Sequence, residues 1–311
     1  YFTILSAILP VFILISVGSL LLKKKWLDTA TETGMMKIGL NLLTPCLILS
    51  LIPGNPALAT VSSAVRAISL GTVLTLAGFL LAWLGGLGGG MRVGSGLRTF
   101  AISAGIQNYG FLALPLLVDL FPGNTGPSGL VFVFGVGVEV AIWTVGLAIL
   151  TGKAGLKSLI NGPFVAIVVA LLLNYSGGHR YIPGILSTSF DMLGRCAVPM
   201  SIFMIGATMS HFSRSGIFTD AFRVGLVSVV VRLGLHAAVI LAAALWIPME
   251  PDLQRLLVIQ SAMPTAIFPI VLARLFGGQP QVAIQVVMIT SLVSLVTAPF
   301  VIAWGLRAAA V

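Results

Sequence analysis

Four prolines lie inside apolar stretches long enough to cross a membrane, and they form two pairs. Pro45 with Pro199, and Pro115 with Pro269, are each separated by 154 residues. A proline inside a helix removes a backbone hydrogen bond and clashes with the preceding turn. At bilayer depth the freed carbonyl must be met by protein or by a water-filled cavity. One such proline is explained by a kink, but two pairs at one spacing predict four interruptions in a duplicated unit. In that arrangement, broken helices of two related halves surround a solute near the bilayer midplane.

Of 311 residues, 58% are hydrophobic and only 8% charged, against roughly 25% charged in a soluble domain. Apolar runs of about twenty residues recur along the chain, each able to cross a hydrocarbon core of about 30 Å. Ten spans are predicted, at 3–22, 34–52, 64–86, 99–120, 128–150, 162–174, 184–209, 221–247, 255–276 and 283–306. The fold class is therefore an all-α membrane protein. Residues 1–150 form a first five-helix repeat, 151–162 a short connection, and 163–311 a second repeat. Five crossings per half make the repeats inverted, because an odd number starts the second on the opposite side. The first span reads as retained rather than as a signal peptide, since Lys23, Lys24 and Lys25 follow it, and the initial Tyr1 reads as a trimmed start.

The net charge of +9 does not mark a nucleic-acid partner. Lys23, Lys24, Lys25, Arg92, Arg98, Lys153, Lys157, Arg214, Arg223 and Arg274 fall in one set of connections, and Arg66, Arg180, Arg255 and Arg307 in the other. This asymmetry puts both termini outside the cytoplasm and the 151–162 connection inside it. Cys46 and Cys196 lie within spans and read as unpaired thiols behaving as small apolar groups.

The fourth span carries Asn108, Tyr109 and Gly110 ahead of Pro115, and the ninth carries Gln260, Pro264 and Thr265 ahead of Pro269. Unwinding there exposes N–H groups at one half-helix start and carbonyls at another half-helix end, a site for an anion and for a cation or proton donor. Asn108 alone could equally join helices, an interaction of about 1 kcal/mol.

The segments Asn108-Tyr-Gly-Phe-Leu-Ala-Leu-Pro115, Met263-Pro-Thr-Ala-Ile-Phe-Pro-Ile-Val-Leu-Ala273 and Pro199-Met-Ser-Ile-Phe-Met-Ile-Gly206 resemble the auxin efflux carrier family. That family includes bacterial organic-acid carriers of the malonate type and plant PIN-type carriers. The resemblance spans nearly the whole chain. It implies ten helices in two inverted repeats, broken crossover helices at the fourth and ninth spans, a scaffold plus a transport domain, and elevator-like movement. It further implies that Asn108 and the crossover at Pro115 and Pro269 contact a substrate carboxylate. The expected location is the plasma membrane, read as a bacterial inner membrane. A homodimer is expected by analogy. The long loop of the plant carriers is replaced by 151–162, so regulation through it is not expected. Bile-acid sodium symporters look like distant relatives with an acidic sodium ligand in the crossover, whereas 260–276 contains no carboxylate.

Ionisable groups at bilayer depth cost roughly 2.5 to 3.5 kcal/mol each and should face protein or water. Glu139 reads either as a proton-coupling carboxylate or as a structural acceptor. Asp191 and Arg195, four apart, read either as a neutralising pair or as a proton site and a carboxylate partner. Arg232 and His236 are also four apart, with His236 read as a packing residue or a pH sensor, and His179 and His211 are assigned to loops.

No nucleophile–base pair, metal-ligand cluster or phosphate loop is present, so an enzyme, a cofactor and hydrolysis-driven transport are not expected. The expected function is secondary transport of a small organic anion, probed at Asn108, Tyr109, Gly110, Pro115, Gln260, Pro264, Thr265, Pro269 and Arg195. Phe111, Tyr109 and Phe268 would accommodate an apolar body. Proton coupling or the membrane potential would drive it, through Glu139 and Asp191. The alternatives are a sodium-coupled symporter of the bile-acid type, or a sensor or channel on the same fold.

Overall fold

In a computed structural model the described residues are 2–152, 160–212 and 221–311. Lys153, Lys157 and Arg214, which enter the charge asymmetry, lie outside them. Among the described residues the structure is helical throughout, with one isolated antiparallel bridge between Gln107 and Thr265.

The first helix is α1 (Phe2–Lys23). Next come α2 (Thr29–Ile38), a π-helical stretch at Gly39–Leu43, and α3 (Thr44–Leu51), all on one continuous path. They are followed by α4 (Val61–Gly88), α5 (Leu97–Gly105) and α6 (Ala113–Leu120). A second π-helical stretch, Ile142–Gly146, joins α7 (Gly126–Ala141) to α8 (Leu147–Thr151). Then come α9 (Gly162–Tyr175) and α10 (Gly184–Phe212). A third π-helical stretch, Val229–His236, joins α11 (Ala221–Ser228) to α12 (Ala237–Trp246). The chain ends with α13 (Pro251–Ala262), α14 (Phe268–Leu275) and α15 (Pro280–Ala309).

Helix starts are written locally. Asp28, Thr60 and Asn161 accept from backbone N–H groups three residues on and so cap α2, α4 and α9. Pro127, Pro163, Pro251 and Pro280 occupy the first two positions of α7, α9, α13 and α15, where a missing N–H costs nothing. Five helical stretches are long and apolar enough to cross a membrane: Gly34–Leu51, Val61–Gly88, Gly126–Thr151, Arg223–Trp246 and Pro280–Ala309. Shorter apolar helices accompany them at Ile13–Lys23 and Gly162–Tyr175.

Glycines set the closest helix contacts. A Cβ on Gly18 of α1 would lie 1.9 Å from the Phe203 carbonyl oxygen, and one on Gly206 of α10 would lie 1.8 Å from that of Ile15. Gly71 and Gly137 do the same between α4 and α7, at 2.2 Å from Phe134 O and 2.0 Å from Ile68 O. Small residues let backbones meet where lipid supplies no hydrophobic drive for association. Further packing joins α10 and α9 to α3, and α13 to α12, α7 and α15.

Two of the four predicted interruptions are absent. α10 runs unbroken through Pro199. Pro45 sits at the start of α3, and the wide π turn before it keeps the path continuous. There the Thr44 N–H and hydroxyl both reach Gly39 O, five residues back, the wider turn of a π-helix. His211 belongs to α10 rather than to a loop, and His179 lies in a 3-10 turn of the connection between α9 and α10. Cys46 and Cys196 are both free thiols, the first buried and the second exposed.

The glycine contacts make a specific demand. Gly206→Val should force α1 from α10 and cost about 1–3 kcal/mol. Gly34→Ala, where nothing lies within 4 Å of the added carbon, should be neutral or stabilise by up to about 1 kcal/mol. Thermal unfolding of the two purified variants checks both.

Candidate functional site

The fourth and ninth spans are broken, and the breaks pair with each other. α5 stops at Gly105 and the chain resumes helix only at Ala113; α13 stops at Ala262 and resumes at Phe268. Pro264 drives the second stop, because the residue before a proline is pushed out of the helical region, and Met263 is extended at φ −71° and ψ 137°. Pro115 and Pro269 do not lie at the breaks. They are the third residue of α6 and the second of α14, within the first turn, whose N–H groups have no intrahelical acceptor.

Between the breaks, the Asn108 N–H donates to Pro264 O at 2.8 Å and the Ala266 N–H to Ile106 O at 3.0 Å. Gln260 Nε2 donates to Tyr109 O at 2.8 Å. Asn108, Tyr109, Gly110, Gln260, Pro264 and Thr265 are thus brought into one crossing, with Pro115 and Pro269 a turn away.

The side chains divide the work. Asn108 Oδ1 accepts from the Leu112 N–H at 3.3 Å and so caps the entry to α6, leaving its amide nitrogen without a protein partner. The Tyr109 ring packs over Gly135, where a Cβ would lie 2.8 Å from it. Its hydroxyl donates to Glu139 Oε1 at 3.4 Å, and Asn161 Nδ2 donates to Glu139 Oε2 at 3.3 Å. Phe268 stands edge-on to Trp143 at 5.8 Å between ring centroids.

Several buried polar atoms here have no protein hydrogen bond: both amide atoms of Gln107, Gln260 Oε1, Thr265 Oγ1, Ser103 Oγ and Thr75 Oγ1. Gln107 and Thr265 face each other across the antiparallel bridge, so their side chains share one face of the crossing. Each such orphan costs about 1–3 kcal/mol.

Arg232 is the largest fully buried side chain. Its Nε donates to Met263 O at 2.9 Å and its Nη2 to Gln260 O at 3.1 Å, and Nη1 meets His236 Nδ1. A guanidinium only donates, so His236 Nδ1 accepts and the ring is the neutral tautomer, with Nε2–H donating to Leu74 O at 2.9 Å.

Arg195 and Asp191 do pair, Nε to Oδ2 at 2.8 Å, on the exposed side of α10. Their further partner is Ser50 on α3, and no hydrogen bond ties them to the crossing. Among the described residues, no group of three His, Cys, Asp or Glu could hold a metal ion. Sequence reasoning missed Gln107, Ser103 and Thr265's shared face, and it gave Arg232 no role. The polar pair Gln107-Asn108 was visible, but the partners of Arg232 lie 28 and 31 residues further on and no local pattern announces them.

Paired broken helices inside a bundle of long apolar helices define a multi-pass membrane transport protein. The family model described as "Membrane transport protein" matches this chain over residues 3–155 and 147–302. The chain belongs to that family, of auxin efflux carrier type. Auxin efflux carrier component 8 of Arabidopsis thaliana is 24% identical over 148 residues, covering 47% of this chain and 40% of that protein.

Gln260 offers a test of how the crossing is held. Gln260→Met keeps volume but leaves Tyr109 O without its donor, and should cost about 1–3 kcal/mol in thermal unfolding; an unchanged midpoint would show that this bond contributes nothing.

Proposed function

We propose that this protein is a secondary carrier of a small organic anion, most simply a carboxylate, held at the paired breaks. The observation that carries the proposal is the crossing itself: two interrupted helices joined backbone to backbone, lined by polar side chains lacking protein partners. The starts of α6 and α14 bring partial positive charge to the breaks. The Asn108 amide nitrogen supplies a further donor, and Tyr109, Gly110, Gln260, Pro264 and Thr265 form the surroundings, with Pro115 and Pro269 setting the helix restarts. Phe268 and Phe111 offer apolar surface to the body of the solute. Arg195 enters only if α10 turns its exposed face toward the crossing during transport.

The topology in this reading has ten spans in two inverted repeats, 1–150 and 163–311, joined by 151–162. Support comes from the 154-residue offset, which carries α5, α7 and the non-helical segment at 106–112 onto α13, α15 and 263–267 within a few residues. The heaviest contacts fall into two sets, α1, α3, α9 and α10 in one and α4, α5, α7, α12, α13 and α15 in the other, with thinner contacts of α1 to α15 and of α7 to α3 and α9 between them. We assign the first set as scaffold and the second as the moving transport domain of an elevator-like cycle. Both termini face away from the cytoplasm of a bacterial inner membrane, and a homodimer would form through the scaffold. Glu139, bound by Tyr109 of the break and by Asn161 at the start of α9, is the proposed proton-coupling group, with Asp191 second.

Binding and counterflow across a panel of small carboxylates in proteoliposomes test this. Asn108→Ala should lose at least about tenfold in affinity, about 1.4 kcal/mol. Asn108→Asp keeps the cap on Leu112 and should fold like the parent while still failing to bind an anion. Normal counterflow by Asn108→Ala would remove the site. Under an imposed pH gradient, uptake by the parent protein should follow the gradient and uptake by Glu139→Gln should not; gradient-independent uptake by the parent would remove proton coupling.

A further inference from the structure

Arg232 is a full positive charge with no anionic partner. Arg66–Glu250, Arg195–Asp191 and Arg255–Asp252 are ion pairs among the described residues, and none of these involves it. A lone buried guanidinium at membrane depth is costly unless something offsets the charge. What offsets it here is the end of a helix. α13 ends at Ala262, buried inside the protein, and the last carbonyls of a helix carry partial negative charge and lack intrahelical donors. Arg232 reaches Gln260 O in the last turn and Met263 O just past the helix end, from the neighbouring π-helical stretch. Its third nitrogen is taken by a neutral His236, itself anchored to α4 through Leu74 O. The wider turn of a π-helix re-aims side chains relative to an α-helix, and both Arg232 and His236 point inward and are fully buried.

The corresponding position in the first half is bare. Shifting Arg232 back by 154 residues gives Gly78, which packs against the carbonyl end of α5. A Cβ there would lie 2.5 Å from Gly105 O and 2.3 Å from His236 Cε1. One broken helix therefore ends on a glycine and a neutral ring, and the other on a cation supplied by the chain.

We propose that Arg232 is a built-in counter-cation, a positioning residue that neutralises the carbonyl end of α13 and so takes the place of a metal cation there. The carrier then holds its ninth-span break in shape without sodium or potassium. This rests on the reading of the crossing as the transport site and names its relation to coupling ions: a cation at the α13 end is resident and is not carried.

Thermal unfolding of the purified full chain, followed by tryptophan fluorescence in sodium, potassium or choline chloride at equal ionic strength, tests it. The parent protein should unfold at the same temperature in all three salts. Arg232→Ala should unfold lower in choline and recover by at least about 2 °C in sodium or with millimolar guanidinium, which can refill the space beside the carbonyls. R232K should stay indifferent to the salt. A sodium-dependent midpoint in the parent protein or in R232K, or an R232A loss that no cation recovers, would overturn the proposal. If R232A does not fold, the parent and R232K decide alone: indifference in both upholds it, and a sodium response in either overturns it. These scans need no solute, so they can fail while the Asn108 test succeeds, and the reverse.

Discussion

A backbone that leaves the helix at membrane depth must find partners for its N–H and C=O groups, because hydrocarbon supplies none. In this protein each break is the other's partner. The Asn108 N–H reaches Pro264 O, the Ala266 N–H reaches Ile106 O, and Gln260 Nε2 reaches Tyr109 O. Neither interruption would be tolerable alone, and the two together form a short antiparallel contact in a fold that is otherwise helical. The rest of the architecture follows from keeping these two segments opposed: α13 is packed between α7, α12 and α15, and α5 between α4 and α15.

Backbone bonds tie the two breaks together at the crossing, and several side chains beside them are left without partners. Gln107, Thr265, Ser103 and Thr75 keep buried polar atoms without protein partners, whereas Arg232 and His236 have every nitrogen engaged. The crossing therefore separates two kinds of polarity. A closed network fixes the end of α13, and an open one lines the face shared by Gln107 and Thr265. Open polar groups in a dry interior are unfavourable for stability and useful for recognising a solute that brings its own donors and acceptors.

How much of this was legible depended on whether a feature was local. The break at 263–267 was written in the chain, since Pro264 excludes helix at Met263, and the break at 106–112 was marked by Asn108 and Gly110 ahead of Pro115. Pro45 and Pro199 misled, because a lone proline frees one carbonyl, which a helix absorbs by bending or by a wider turn; no residue beside Pro199 also refuses the helix. Gly135 and Gly137, four and two residues before Glu139, meet Tyr109 and α4, a closeness that small residues allow. The place of Arg232 was not legible. Its spacing to His236 is local, but its partners are carbonyls, which every residue possesses and no sequence pattern distinguishes.

The contrast between Gly78 and Arg232 makes the interior lopsided. One carbonyl end is met by the smallest side chain and the other by one of the largest, so the two breaks differ in charge although each is the other's backbone partner.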